Sequence, residues 1–200
     1  MMNYSDFCCI AVALLGATMK TLEDQMSFYA AYHQDSRNKM THFVGVPVII
    51  LALFIPLAWL RIPLGDFTLT GAMIFAGIVV AYYFVLDVPL ALAMLVTTAF
   101  LVWAGAAIAQ LGYQAGTVCF LILFIGGWAL QLWGHIYEGR KPALVDNLFQ
   151  IFVAPIFLAA EVFFALGYKP KLHEAVQKRA LEMRARAGVK GSIQPGAASR

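Results

Sequence analysis

The sequence predicts an all-α, multi-pass bundle of helices embedded in a membrane, with four full spans followed by a Pro-broken fifth segment. Three observations lead there. Hydrophobic residues make up 62% of the 200-residue chain and charged residues 12%, about half the charged share of a soluble domain. The mean hydropathy of +0.76 excludes a disordered chain and leaves more apolar surface than one core of this length can hide. The apolar residues also gather into long, nearly uncharged runs with short breaks between them.

Taken in order, the chain divides into an N-terminal extension at 1–24, a membrane-embedded body at 25–168 and a basic interfacial or disordered tail at 169–200. Residues 7–19 are apolar over the length of a signal peptide, but nothing basic precedes them and Asp6 is acidic. A cleaved signal is therefore not expected. Met19 reads as an alternative start, which makes the first 18 residues dispensable.

Four runs match the roughly 20 apolar residues a membrane crossing needs: 43–60, 67–86, 88–110 and 115–133. Arg61, Asp66 and Asp87 mark their ends, and the breaks at 61–66, 87–89 and 111–116 are short enough to make successive helices antiparallel neighbours. Gly71, Gly77, Gly105, Gly126 and Gly127 are the small residues that close helix packing in lipid uses. The fifth run, 148–166, carries Pro155 and Glu161. If it crossed, the basic tail would lie opposite the loop bearing Arg140 and Lys141, against the tendency of basic loops to share one side. A re-entrant or interfacial hairpin bent at Pro155 removes that conflict. Glu161 can pair with a basic helix edge or reach a functional site, and the structural role is the preferred one.

From Lys169 onward, eight Lys and Arg stand against Glu174 and Glu182. Following a hydrophobic body, such a tail points to anionic lipid headgroups and not to nucleic acid. Leu172, Val176 and Met183 share one helical face there, as in an interfacial helix, and His173 reads as a surface residue. Cys8, Cys9 and Cys119 have no metal-ligand spacing and read as structural thiols.

Chemistry is confined by the count of spans. Four crossings between residues 43 and 133 return the chain to the side it left, so His33, His42 and His135 share one membrane face. His33 and His42 are nine residues apart, about 180° on an unbroken helix, and Asp35 or Ser36 can break it by capping a new one. Tyr29 and His33 are then i, i+4 on the first helix, and Asn38 and His42 on the second. Gln131, His135 and Glu138 lie on one face of the other segment. Membrane-border histidines are often headgroup contacts or packing residues, but three beside amides and a carboxylate suggest a metal site at one membrane face. Imidazole suits zinc, copper and iron; His with a carboxylate and open positions suits non-haem iron. The chain has no phosphate-cradling glycine loop, no nucleophile elbow and no His-Glu-x-x-His protease motif.

The residues FYAAYHQDSRNKMTHFVGVP at 28–47 and QLWGHIYEGRKPALVDNL at 131–148 resemble the two signatures of the membrane 2-hydroxy fatty acid dioxygenase family, whose best-known members are fungal enzymes of fatty acid α-oxidation. The likeness continues through Gln150, Ala154, Pro155, Glu161 and Leu166 to Tyr168, and covers roughly 25–170. It implies an Fe2+-dependent oxygenase that shortens a 2-hydroxy long-chain fatty acid by one carbon, consuming O2 and releasing carbon dioxide. By position, His33, His42 and His135 become the leading iron ligands. Glu138, Asn38 and Tyr29 become catalytic candidates, with Glu138 a fourth ligand or, preferably, a partner orienting an imidazole. Gln131, Asp146 and Asn147 become substrate contacts, and Arg140 or Lys141 a partner for the substrate carboxylate. The home implied is a bacterial inner membrane or, in a eukaryote, the endoplasmic reticulum. The alternatives are a lipid-binding scaffold with a structural zinc and a zinc-dependent hydrolase.

Overall fold

The fold is taken from a computed structural model, which describes residues 20–190. The expected extension at 1–18, Cys8, Cys9 and the tail beyond 190 lie outside the described residues. Helix α1 (Leu22–Ala30) opens on a capping box in which Thr21 and Asp24 satisfy each other's backbone amides. Helix α2 (Ser36–Ala58) is capped by Asp35, which accepts from the Arg37 amide at 2.8 Å. The predicted interruption between His33 and His42 is therefore real, and Asp35 makes it.

A hairpin follows. Strands β1 (Arg61–Leu64) and β2 (Phe67–Thr70) pair antiparallel around Gly65 and Asp66, with Gly65 supplying the positive φ of 64° that the turn requires. Helices α3 (Gly71–Leu86), α4 (Val88–Ala109) and α5 (Tyr113–Glu138) then run back and forth, with Thr70 capping α3 and Asp87 capping α4. The short α6 (Ala143–Asp146), α7 (Gln150–Ala165) and α8 (Pro170–Lys190) complete the described chain.

Among the described residues α2, α4 and α5 have the length and composition of membrane-crossing helices. The run 67–86 departs from expectation: its first four residues are strand, and the remaining helix of 16 residues is about 24 Å long. Hydropathy alone cannot separate the two, but Gly65-Asp66 favours a turn and the Thr70 hydroxyl starts the helix late.

The axis of the bundle is the α2–α5 pair. A side chain on Gly127 would meet Ile49 and the Gly45 carbonyl, and one on Gly134 would overlap Thr41 and Asn38. Small residues thus let the two backbones approach closely. Of the five glycines expected to pack, Gly71, Gly105 and Gly127 do, whereas Gly77 and Gly126 face open space. Large apolar side chains such as Val96, Phe100, Trp103 and Ile122 point outward, as lipid-facing residues do.

The hairpin expected at Pro155 is not there. Residues 150–165 form an unbroken helix with Pro155 inside it. Proline in the second turn forfeits one backbone bond, and burial of Val153, Ile156, Phe157 and Ala160 holds the helix together. The topological purpose survives. Tyr32 donates to Asp146 before α7, and Lys169 pairs with Asp87 after it. Both acceptors lie at the end where α2 begins and α5 finishes, so the chain enters and leaves α7 at one end of the bundle. The segment expected to be an interfacial or disordered tail is, as far as residue 190, a helix. Its apolar face is the predicted one, but Val176 and Ala180 are fully buried in the cluster that includes Leu22 and Met26 of α1, with Leu172 and Met183 partly buried against it. Protein covers that face, where lipid was expected.

Candidate metal centre

The three histidines meet at one end of the α2–α5 pair, coming from the α1–α2 corner, the second turn of α2 and the last turn of α5. All are buried, and one ligand atom from each lies within 4.8 Å of the others. His33 Nδ1 donates to the Tyr29 carbonyl at 2.8 Å, and His42 Nδ1 donates to the Asn38 carbonyl at 2.9 Å. A carbonyl can only accept, so both Nδ1 atoms carry the proton and both Nε2 atoms present lone pairs. Those two Nε2 atoms face each other at 3.1 Å. Two acceptors buried this close repel unless a cation or a shared proton lies between them. Burial, followed by the neighbouring His42, holds the His33 imidazole well below its usual range, which disfavours the proton. His135 Nδ1 is buried with no hydrogen-bond partner. The donor set therefore fits a metal ion: three buried imidazoles, with the His33 and His42 tautomers fixed from behind as imidazole-ligated metals require.

Glu138 does not compete for that ion. Its Oε2 accepts from the amides of Gln34 at 3.0 Å and Asp35 at 2.8 Å and from Asn38 Nδ2 at 3.2 Å. Its Oε1 is engaged by Arg184. Four donors occupy a carboxylate that offers about four lone-pair sites. Helix α5 ends directly after Glu138, at Gly139 in the left-handed conformation. Asn38 is buried between Glu138 and the Tyr32 carbonyl. Tyr29 stacks flat on His33, with centroids 4.0 Å apart and planes at 5°.

The histidines open into a cavity of about 330 Å³, at the lower end of the range for small-molecule sites. Its walls run along α2 from His42 to Phe54, about 18 Å at the helical rise. They are closed by Phe75 and Ala76 of α3, Thr98 of α4 and Pro155 of α7. Gln131 lines the cavity with a buried, unpartnered Nε2.

The other expected contacts are elsewhere. Arg140, Lys141, Asp146 and Asn147 do not line the cavity. Lys141 pairs with Asp146 at 2.5 Å, and Asn147 accepts from the Phe149 amide to turn the chain into α7. Glu161 pairs with Lys39 at 2.8 Å, as a structural partner would. His173 is half-buried and stacks on Phe164. Two participants carried no sequence signal of their role. Arg184 reaches Glu138 from α8, and Gln150 joins Gln25 and Tyr82 in a buried amide chain beside the cavity. Gln150 stands only within the stretch that resembles the family, with no role attached to it.

Comparison with known proteins agrees with this geometry. The family model described as 2-hydroxy-palmitic acid dioxygenase Mpo1-like matches residues 19–166. The chain is 30% identical over 174 residues to the 2-hydroxy-palmitic acid dioxygenase MPO1 of Saccharomyces cerevisiae, covering 86% of this chain and 96% of that protein. No solved structure matches. With histidines, carboxylate and cavity all inside the matched segment, this chain belongs to the Mpo1-like family.

Proposed function

We propose that this chain is a membrane-embedded dioxygenase that shortens a 2-hydroxy long-chain fatty acid by one carbon. The overall change balances as hydroxy acid plus O2 giving the shorter acid, carbon dioxide and water. The observation that carries the reading is the meeting of three buried imidazoles, two of them fixed as neutral donors, with an elongated apolar cavity. His33, His42 and His135 would hold the metal, for which Fe(II) is the candidate; bound there it would supply the site for the hydroxy acid head and the redox chemistry of dioxygen.

The chain's own residues do the rest. The cavity between α2 and α7 holds the acyl tail out of water, and its axis points the head group at the histidines. Neutral ligands leave the ion's positive charge available to an anionic α-hydroxy acid. Gln131, with a free amide donor on the cavity wall, is placed to bind the head group's oxygens, a role for which Arg140 and Lys141 are less well placed. Tyr29 and Asn38 keep the His33 and His42 rings in orientation.

The basic groups support one membrane orientation. Arg37, Lys39, Arg140, Lys141 and Lys169 gather at the histidine end, while the hairpin end carries Arg61 and Asp66. With α3 and its hairpin completing a fourth crossing, the histidine end faces the cytoplasm.

Oxygen uptake is the decisive measurement. Purified protein with Fe(II) and 2-hydroxypalmitate should consume O2 and yield the acid one carbon shorter. Turnover without O2 would replace this reading with a hydrolase. Stoichiometric, tightly held zinc without turnover would replace it with a scaffold.

A further inference from the structure

Among the described residues, Glu138 is the one carboxylate that touches all three histidine-bearing segments. It ends α5 three residues after His135, it accepts the amides of Gln34 and Asp35 directly after His33, and it holds Asn38, whose carbonyl fixes His42. Its remaining oxygen is taken by Arg184, whose Nη1 also donates to the Ala31 carbonyl at 3.2 Å, on the other side of His33. The Glu138 side chain is 1% exposed, so among the described residues Arg184 provides its charge balance. Arg184 belongs to α8, beyond the segment 19–166 that the family model matches. The same helix is docked independently by Arg179, which pairs with Asp24 at 2.6 Å and Glu23 at 3.5 Å, and by the buried Val176 and Ala180.

We infer that Arg184 is a positioning residue for the histidine centre, holding the Glu138 carboxylate in the place from which it sets the register of His33, His42 and His135. The inference rests on the reading of those histidines as metal ligands. Deprived of Arg184, a buried carboxylate is left with neutral donors alone and turns toward water. That turn loosens the amides at 34 and 35 and the Asn38 contact together. The C-terminal helix then delivers Arg184, and the metal centre is complete only when that guanidinium is in place.

The test uses the full chain in detergent, with Co(II) as a spectroscopic probe titrated against a chelator. Arg184→Ala should weaken Co(II) retention by about 10- to 100-fold, the usual cost of losing an outer partner of a metal ligand, and shift the visible absorption of the bound ion. Arg184→Lys should recover part of the loss, because it keeps the charge beside Glu138 without the guanidinium's fixed donor geometry. Arg179→Ala, which loosens the same helix away from the histidines, should bind Co(II) as the parent does. Parent-like binding by Arg184→Ala overturns the inference, and so does equal weakening by Arg179→Ala, which would reduce Arg184 to helix docking. Should Arg184→Ala fail to fold, Arg184→Lys decides, and unchanged affinity and spectrum overturn the inference. A parent chain that binds no Co(II) overturns this inference and the metal reading together. Binding by the parent with an unaffected Arg184→Ala overturns this inference alone.

Discussion

At the histidine end of the bundle, helices are tied by charge and hydrogen bonds: Glu138 to Arg184 and three nitrogens of the α1–α2 corner, Lys39 to Glu161, Lys141 to Asp146, Lys169 to Asp87. At the opposite end α2, α4 and α5 meet through Ile55, Ala58 and Ala109, with Trp59 against Tyr113 and one indole bond to the Ala109 carbonyl at 3.3 Å. Burying polar groups costs stability unless every one is paired. Concentrating that cost at one end is economical only if that end does the chemistry. The apolar end needs no such pairing, because close apolar packing holds it.

The sharpest way to break this contrast is to remove one imidazole. His42→Ala should lower O2-dependent turnover by about a thousandfold or more, the order expected when a group essential to the reacting centre is lost, and should abolish stoichiometric metal binding. Unfolding in detergent should change little without metal, since the mutation also removes the facing Nε2 pair of His33 and His42. Retained turnover would show that the chemistry lies elsewhere.

A second change sharpens the contrast by working toward the middle of the molecule. Ala76 lines the cavity on α3, away from the histidines, and packs in the cluster of Phe54 and Leu101. Ala76→Phe should fill that part of the cavity, at a packing cost of about 1–3 kcal/mol. Selectivity measured as kcat/KM should shift toward shorter 2-hydroxy acids by about tenfold or more. An unchanged chain-length profile would place the acyl tail outside this cavity.

How much of this was legible in the sequence follows the same division. Convergence of His33, His42 and His135 was readable because it depends on the parity of helices and on one interruption, which Asp35 supplies. The return of α7 to its starting end was readable from the charge of its flanks, but its mechanism was not. A proline marks a place where a helix can bend, and the packing of Phe157 and its neighbours decides that it does not. Amphipathic spacing at Leu172, Val176 and Met183 identified an apolar face without saying whether α1 or lipid covers it. Arg184 was invisible for a related reason. It stands 46 residues from Glu138 in sequence, among the other basic residues of α8, and nothing in local pattern separates it from them.

Asp87 offers a third, smaller perturbation, one that touches the polar end without touching the centre. It caps α4 by accepting from the Leu90 amide at 3.1 Å and pairs with Lys169. Asp87→Ala should cost about 1–2 kcal/mol of stability from the cap. The ion pair adds less than its burial suggests, because the Lys169 side chain is 43% exposed and solvent screens it. Oxygen uptake per folded molecule should stay within a factor of two or so of the parent. A collapse of activity at preserved fold would mean that the flanks of α7 set the geometry of the histidines, and that the polar end acts as one unit.

The smallest effect belongs to the apolar end. Gly65 turns the β1–β2 hairpin at φ 64°, where any side chain costs about 1–2 kcal/mol, and no atom lies within 4 Å of where its side chain would begin. Gly65→Ala is therefore strained by its backbone alone. Leu60, Ile62, Leu64 and Phe67 are exposed around it, so the hairpin contributes little to the core and its loosening need not spread. Amide exchange in residues 61–70 should accelerate by about fivefold or more, as a local loss near 1 kcal/mol requires, while metal binding and turnover stay at parent values. Because the hairpin leads directly into Thr70, the cap of α3, the same experiment tests how far the ends are insulated. If exchange also rises at Tyr83, whose hydroxyl bonds the Phe152 carbonyl at 2.6 Å beside the cavity, strain travels the length of α3 and the passive end is coupled to the chemical one after all.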